Sequence, residues 1–170
     1  MLIFKRNLAC LSLILGGAAL LYPLEDPRAF AQEQANKRPW TVNCSTASTG
    51  TLQCQMSQTL LVAKTRQRIL RVAITKTQQA DQMIMSVSMP HGLYLPGGLT
   101  LAVDAAPGKR YDIQTADQNG SYTNLLLDAA LLDAFKRGNV MSITLQNANR
   151  QPVKMELSLT GFTEMLDTLR

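Results

Sequence analysis

The chain has 170 residues, with 17 Lys and Arg against 12 Asp and Glu, a net charge of +5 and a single histidine. Apolar residues make up 46% and cysteine only three positions. These numbers exclude a disordered polyelectrolyte, a disulfide-dense miniprotein and any site built from several histidines.

At the N-terminus, Lys5 and Arg6 precede an uncharged run over residues 8–22, and Ala29 and Ala31 follow. Positive, then apolar, then small-x-small is the order of a secretory signal peptide. A membrane span needs roughly 20 apolar residues and this run is shorter. The expectation is therefore a signal peptide over 1–31, cleaved after Ala31, with no transmembrane helix afterwards. Cys10 lies at the start of the apolar run, the wrong side for lipid attachment, and leaves with the signal. The mature chain then has about 139 residues and a net charge of +4, enough for one domain with a real core. Its basic residues are scattered, without a block of about five or six like charges and without interleaved aromatics. No nucleic-acid partner is expected, while mild basicity is compatible with peripheral contact with an anionic membrane surface.

Residues 32–39 are polar and aperiodic, as a flexible mature N-terminus would be. Trp40, beside the first strand, reads as a core anchor. Cys44 and Cys54 flank S-T-A-S-T-G-T, a turn-rich stretch with short alternating runs on either side. In an oxidising compartment such a pair becomes a disulfide across a hairpin. The rivals are weaker. Zinc needs about four ligands, the Cys-x-x-Cys redox pattern is absent, and a cysteine nucleophile needs a neighbouring histidine.

Beyond the cysteines the pattern is mostly strand. R-I-L-R-V-A-I-T and L-T-L-A-V-D read as strands, and M-I-M-S-V-S-M alternates with Met83, Met85, Val87 and Met89 on one face. Gly, Pro, Asn and Asp clusters bound each run. Asn119-Gly120 predicts a tight hairpin in which both residues tolerate positive φ. The runs flanking N-A-N-R-Q-P predict another, with Val153, Met155, Leu157 and Leu159 facing the core. One helix interrupts the strands over 129–136, with Asp128 as N-cap, Lys136 and Arg137 in the last turn and Gly138 as the stop. A second short helix can follow Gly161. The sum is a mainly β domain of about eight to ten short strands with one inserted short helix, a sandwich or barrel.

Candidate chemistry is sparse. His91 sits between two turn motifs in M-P-H-G-L-Y-L-P-G-G without a companion ligand. Asp104 at a strand end and Asp128 at a helix start are explained by capping. No carboxylates are spaced as an acid/base couple, and Gly97-Gly98 lacks the Lys-Ser/Thr and helix of a phosphate loop. No catalytic residue, metal or cofactor is expected.

Several motifs in order carry a resemblance. W-T-V-N-C is followed ten residues later by Cys54. Then come P-H-G-L-Y-L-P-G-G-L-T-L-A-V-D, N-G-S-Y, L-L-L-D-A-A-L-L-D-A-F-K-R-G and S-L-T-G-F-T-E-M-L. Together they resemble the invasion-associated locus B family of exported bacterial proteins, over residues 40–170. The family's second cysteine pair around the Asn-Gly hairpin is absent, since Ser121 follows Gly120 and neither Thr115 nor Ala116 is cysteine. The resemblance implies an immunoglobulin-like β-sandwich in the periplasm or cell envelope of a Gram-negative bacterium, with a link to host-cell invasion or envelope integrity. The functional expectation is a non-enzymatic protein that binds an envelope or host-surface partner through the loop carrying His91, with Tyr94 and Leu95 as exposed anchors. The alternatives are a periplasmic hydrolase or metal-dependent enzyme, and an assembly factor that works by strand addition.

Overall fold

In a computed structural model of the chain, the described residues are 39–46, 50–77 and 82–169. The expected signal peptide and its cleavage point lie outside them.

Ten strands form. They are β1 (Thr41–Thr46), β2 (Leu52–Leu61), β3 (Arg68–Lys76), β4 (Met83–Met89), β5 (Leu99–Val103), β6 (Lys109–Tyr111), β7 (Thr115–Asp117), β8 (Gly120–Leu127), β9 (Val140–Gln146) and β10 (Pro152–Ser158). Two helices join them, α1 (Ala129–Arg137) and α2 (Phe162–Asp167). The sheets are a six-stranded one in the order β1-β2-β3-β4-β8-β7 and a four-stranded one in the order β10-β9-β5-β6. Every pairing is antiparallel. Period-2 alternation explains the layering, because it turns alternate side chains to one face. Val72 and Val87 from the larger sheet and Leu101 and Ile143 from the smaller one join a single buried cluster. The fold is therefore a β-sandwich.

The methionine stripe is core. Met85, Val87 and Met89 are buried and Met83 packs against them. On β10 the apolar face tapers, from buried Leu157 to Val153 at 40% exposure near the hairpin. Trp40 is buried, and its indole N–H donates to the Ser158 carbonyl at 2.9 Å, linking β1 to β10 across the two sheets. Phe162 packs edge-on against Trp40 at 5.3 Å and against Phe135 of α1 at 5.5 Å. This aromatic trio closes one end of the core.

Helix α1 begins where expected, with the Asp128 carboxylate accepting from the Leu131 N–H at 2.8 Å. It runs one residue further than the sequence indicates, to Arg137. The single inserted helix is joined by α2, which buries Phe162 and Leu166. The Asp104 carboxylate accepts from the backbone N–H groups of Asn139 (3.1 Å) and Val140 (2.9 Å), so the end of β5 caps the start of β9.

The Asn-Gly hairpin forms with a different register. Asp117 pairs with Gly120, so Gln118 and Asn119 make the turn and Gly120 opens β8. Only Gly120 has positive φ, at 149°. The reason is tertiary: a Cβ at Gly120 would run into the Met89 carbonyl oxygen. Asn119 instead donates its N–H to the Asp117 carboxylate at 2.7 Å, a side-chain turn that needs no left-handed residue.

Candidate functional site

Cys44 and Cys54 are paired residues on β1 and β2 and are joined by a disulfide. Both strands run antiparallel through that pair, which brings the two Cα atoms to 4.0 Å. The bond staples an edge strand, since among the described residues β1 has a neighbour only in β2.

The loop 90–98 crosses from β4 in one sheet to β5 in the other. Two short contacts attach it to β9: Leu93 bridges Asn147, and the Tyr94 N–H donates to the Gln146 carbonyl at 2.9 Å. A single 3-10 turn, Leu95–Gly97, follows with Pro96 in its first positions. Gly98 is buried with φ 66°, and a Cβ there would meet the Tyr111 carbonyl oxygen, so only glycine lets the loop lie against β6.

Two arginines hold this loop. Arg110 donates from Nε to the Gly97 carbonyl at 3.1 Å and from Nη2 to the Pro96 carbonyl at 2.8 Å. Its Nη1 meets the Asp112 carboxylate at 2.8 Å, which fixes the plane of the guanidinium. Arg150, in the β9–β10 turn, lies over the Tyr94 ring at 4.7 Å from its centre. The turn is built by the Asn147 side chain, which accepts from the Asn149 and Gln151 N–H groups, and Arg150 adopts φ 60° within it.

His91, Tyr94 and Leu95 therefore share a loop but have unlike surroundings. Tyr94 is half-buried under Arg150 rather than an exposed anchor, because the guanidinium covers the ring face. Leu95 is 39% exposed at the loop's tip, beside exposed Pro96. His91 is exposed and its Nε2 lies 3.2 Å from the Gln118 carbonyl, so it donates there when that nitrogen carries the proton. The contact ties the loop to the β7–β8 hairpin.

On that hairpin, Asp117 and Tyr122 form a small polar pair. The Asn119 backbone N–H lowers the Asp117 pKa below its usual 3.8, with help from the Tyr122 hydroxyl at 3.1 Å. Partial desolvation, then the Asp117 carboxylate, raises the Tyr122 phenol above 10. Neither change places an acid beside a base with a shared substrate position. Among the described residues no group of three or more His, Cys, Asp or Glu is gathered to hold a metal, and no helix is long and apolar enough to cross a membrane.

Arg110 and Arg150 are the residues that sequence reasoning missed. K-R after P-G and N-R before Q-P give no local sign of a loop far away in the chain. What the loop can do is present a fixed apolar point, Leu95, framed by backbone carbonyls and a guanidinium.

Known proteins supply the context. The family model for the Invasion associated locus B (IalB) protein matches residues 40–170. An invasion protein B homolog of Brucella abortus strain 2308 is 29% identical over 147 residues, covering 85% of this chain and 83% of the relative. One from Brucella abortus biovar 1 strain 9-941 matches to the same extent. The crystal structure of invasion associated protein B from Bartonella henselae superposes with a TM-score of 0.70 at 18% identity, over 77% of this chain and 90% of that one. That likeness shows the fold.

Proposed function

We propose a function for this chain from one premise: it belongs to the invasion associated locus B family. It is an exported, non-enzymatic module of the periplasm or cell envelope that binds a protein partner of the envelope or of a host surface. The observation that carries this reading is the loop 90–98, where Arg110 of strand β6 and Arg150 of the β9–β10 turn hold a backbone whose Leu95 stays 39% exposed. Holding a loop in one conformation lowers the ordering cost of binding, and functional contacts concentrate on loops set by a rigid scaffold. The disulfide favours an oxidising compartment.

Strand addition is the weaker reading. The exposed edge strand β10 starts with Pro152 and carries the Lys154–Glu156 ion pair at 2.8 Å. Proline and charges on an edge discourage pairing with another chain.

Crosslinking from intact cells, with the protein as the cell processes it, tests the proposal. The parent chain should capture a reproducible partner and Leu95→Asp should lose it while melting at the same temperature. Capture unchanged by Leu95→Asp would remove the loop from the interface.

A further inference from the structure

The turn between β2 and β3 concentrates charge that the linear sequence spaces out. Lys64, Arg66 and Arg68 alternate with Thr65 and Gln67, and all five are exposed. The turn is well built. The Val62 N–H donates to the Gln67 carbonyl and the Arg66 N–H to the Val62 carbonyl, each at 2.8 Å, and Arg66 adopts φ 58°. No side-chain hydrogen bond or ion pair engages Lys64, Arg66 or Arg68 among the described residues. Among the described residues most carboxylates lie elsewhere and are occupied: Asp112 by Arg110, Asp133 by Arg137, Glu156 by Lys154, Asp104 and Asp128 by backbone N–H groups. Asp117, on the adjacent hairpin, is taken up by the Asn119 N–H and the Tyr122 hydroxyl.

Two further features sit at the same place. Leu61, paired with Arg68 where the β2–β3 register shifts, is 39% exposed. Beside it a cavity of about 230 Å³ is lined by Gln67, Arg68, Ser88, His91 and Asn119 among others. The tip thus carries three cations without a side-chain partner, an exposed leucine and a recess of mixed polarity, with Arg68 and His91 beside Ile69, Met89 and Pro90 in its wall.

We propose that the β2–β3 hairpin tip is a docking surface for anionic lipid headgroups, with the recess at Arg68 and His91 accepting one headgroup phosphate. The recess shares His91 with the loop 90–98, but the proposal rests on the β2–β3 cations and does not depend on the protein-binding reading of Leu95. Charge complementarity selects the partner: unpaired Lys and Arg beside a phosphate-bearing surface each gain affinity, and their long stems can lie along apolar material with the charge at the headgroups. A lipid surface fits better than nucleic acid. Residues 59–69 contain no aromatic side chain on which a base could stack, and a projecting tip meets a plane rather than enclosing a strand.

The experiment is cosedimentation of the protein, as processed by the cell, with phosphatidylcholine vesicles and with vesicles in which a third of that lipid is phosphatidylglycerol. The expected result is binding to the second only, weakening as salt rises. Lys64→Gln, Arg66→Gln and Arg68→Gln together should weaken binding on the order of a hundredfold, from roughly fivefold per cation. Lys136→Gln with Arg137→Gln, on exposed positions of α1, should leave it unchanged, and both variants should melt like the parent. Equal binding to the neutral vesicles, no binding to the anionic ones, or full binding by the triple variant would each overturn the proposal. So would displacement by inorganic phosphate beyond that by chloride at equal ionic strength, which would mark a free-phosphate site, or tighter binding to duplex DNA than to the vesicles.

Discussion

Replacing Cys44 and Cys54 together by alanine should separate the staple from the strand it holds. The bond closes a loop with a sequence separation of 10. Chain-entropy reasoning assigns such a closure about 3 kcal/mol at 25 °C, most of it through the unfolded chain. The native side of the ledger should be small. Strand β1 is an edge strand, exposed along most of its length, and its register with β2 extends on both sides of the cysteines. Its anchorage does not depend on the bond, because Trp40 is buried against Phe162 and bonded to the Ser158 carbonyl. The double variant should therefore fold with the same far-ultraviolet spectrum and unfold earlier in urea. With a slope of about 1.5 kcal/mol/M, the midpoint falls by about 2 M. A reductant should move the parent to nearly the same midpoint and leave the variant unmoved. A shift below about 0.5 M in both experiments would refute the reasoning, since it would mean that the crosslink barely restricts the unfolded chain.

Two other predictions address packing and pH. Phe162→Ala should cost about 3–5 kcal/mol by removing the middle ring of the Trp40–Phe162–Phe135 trio; a double-mutant cycle with Phe135→Leu should return a coupling of about 1 kcal/mol in urea unfolding, and additivity would deny that contact. In an NMR titration the Asp117 carboxyl should ionise below 3.8. Because its folded pKa is depressed, its contribution to the β7–β8 hairpin is present at neutral pH and is lost as pH falls below 3.8 through the folded value; Asn119→Pro, which removes the donating N–H, should bring the midpoint back up.

Much of the fold was legible because it rests on local patterns. The Met83, Met85, Val87 and Met89 alternation marks a buried face whatever its neighbours are. Asp128 can cap a helix using only the N–H of Leu131, three residues on. The cysteines faced each other because the turn between them is short. Where reasoning fell short, the cause was a contact from distant sequence. The Asn-Gly turn sits one position earlier, and Gly120 serves instead where the Met89 carbonyl leaves no room for a Cβ. Tyr94 is covered because Arg150 belongs to a turn next to it in space. The basic residues read as scattered because every second position of 64–68 is neutral, and the sequence does not show that their carboxylates are spent elsewhere.

By itself the sequence determined the sandwich class, the helix over most of its length and the cysteine pairing, since period, capping and loop length act over a few residues. The tertiary structure decided the order of the strands in two sheets, the aromatic packing around Phe162, the clamping of the 90–98 loop by Arg110 and Arg150, and the lack of an ion pair to Lys64, Arg66 and Arg68 among the described residues. Those depend on which surfaces meet when the two sheets bury their faces, and burial is a property of the packed chain rather than of any one segment.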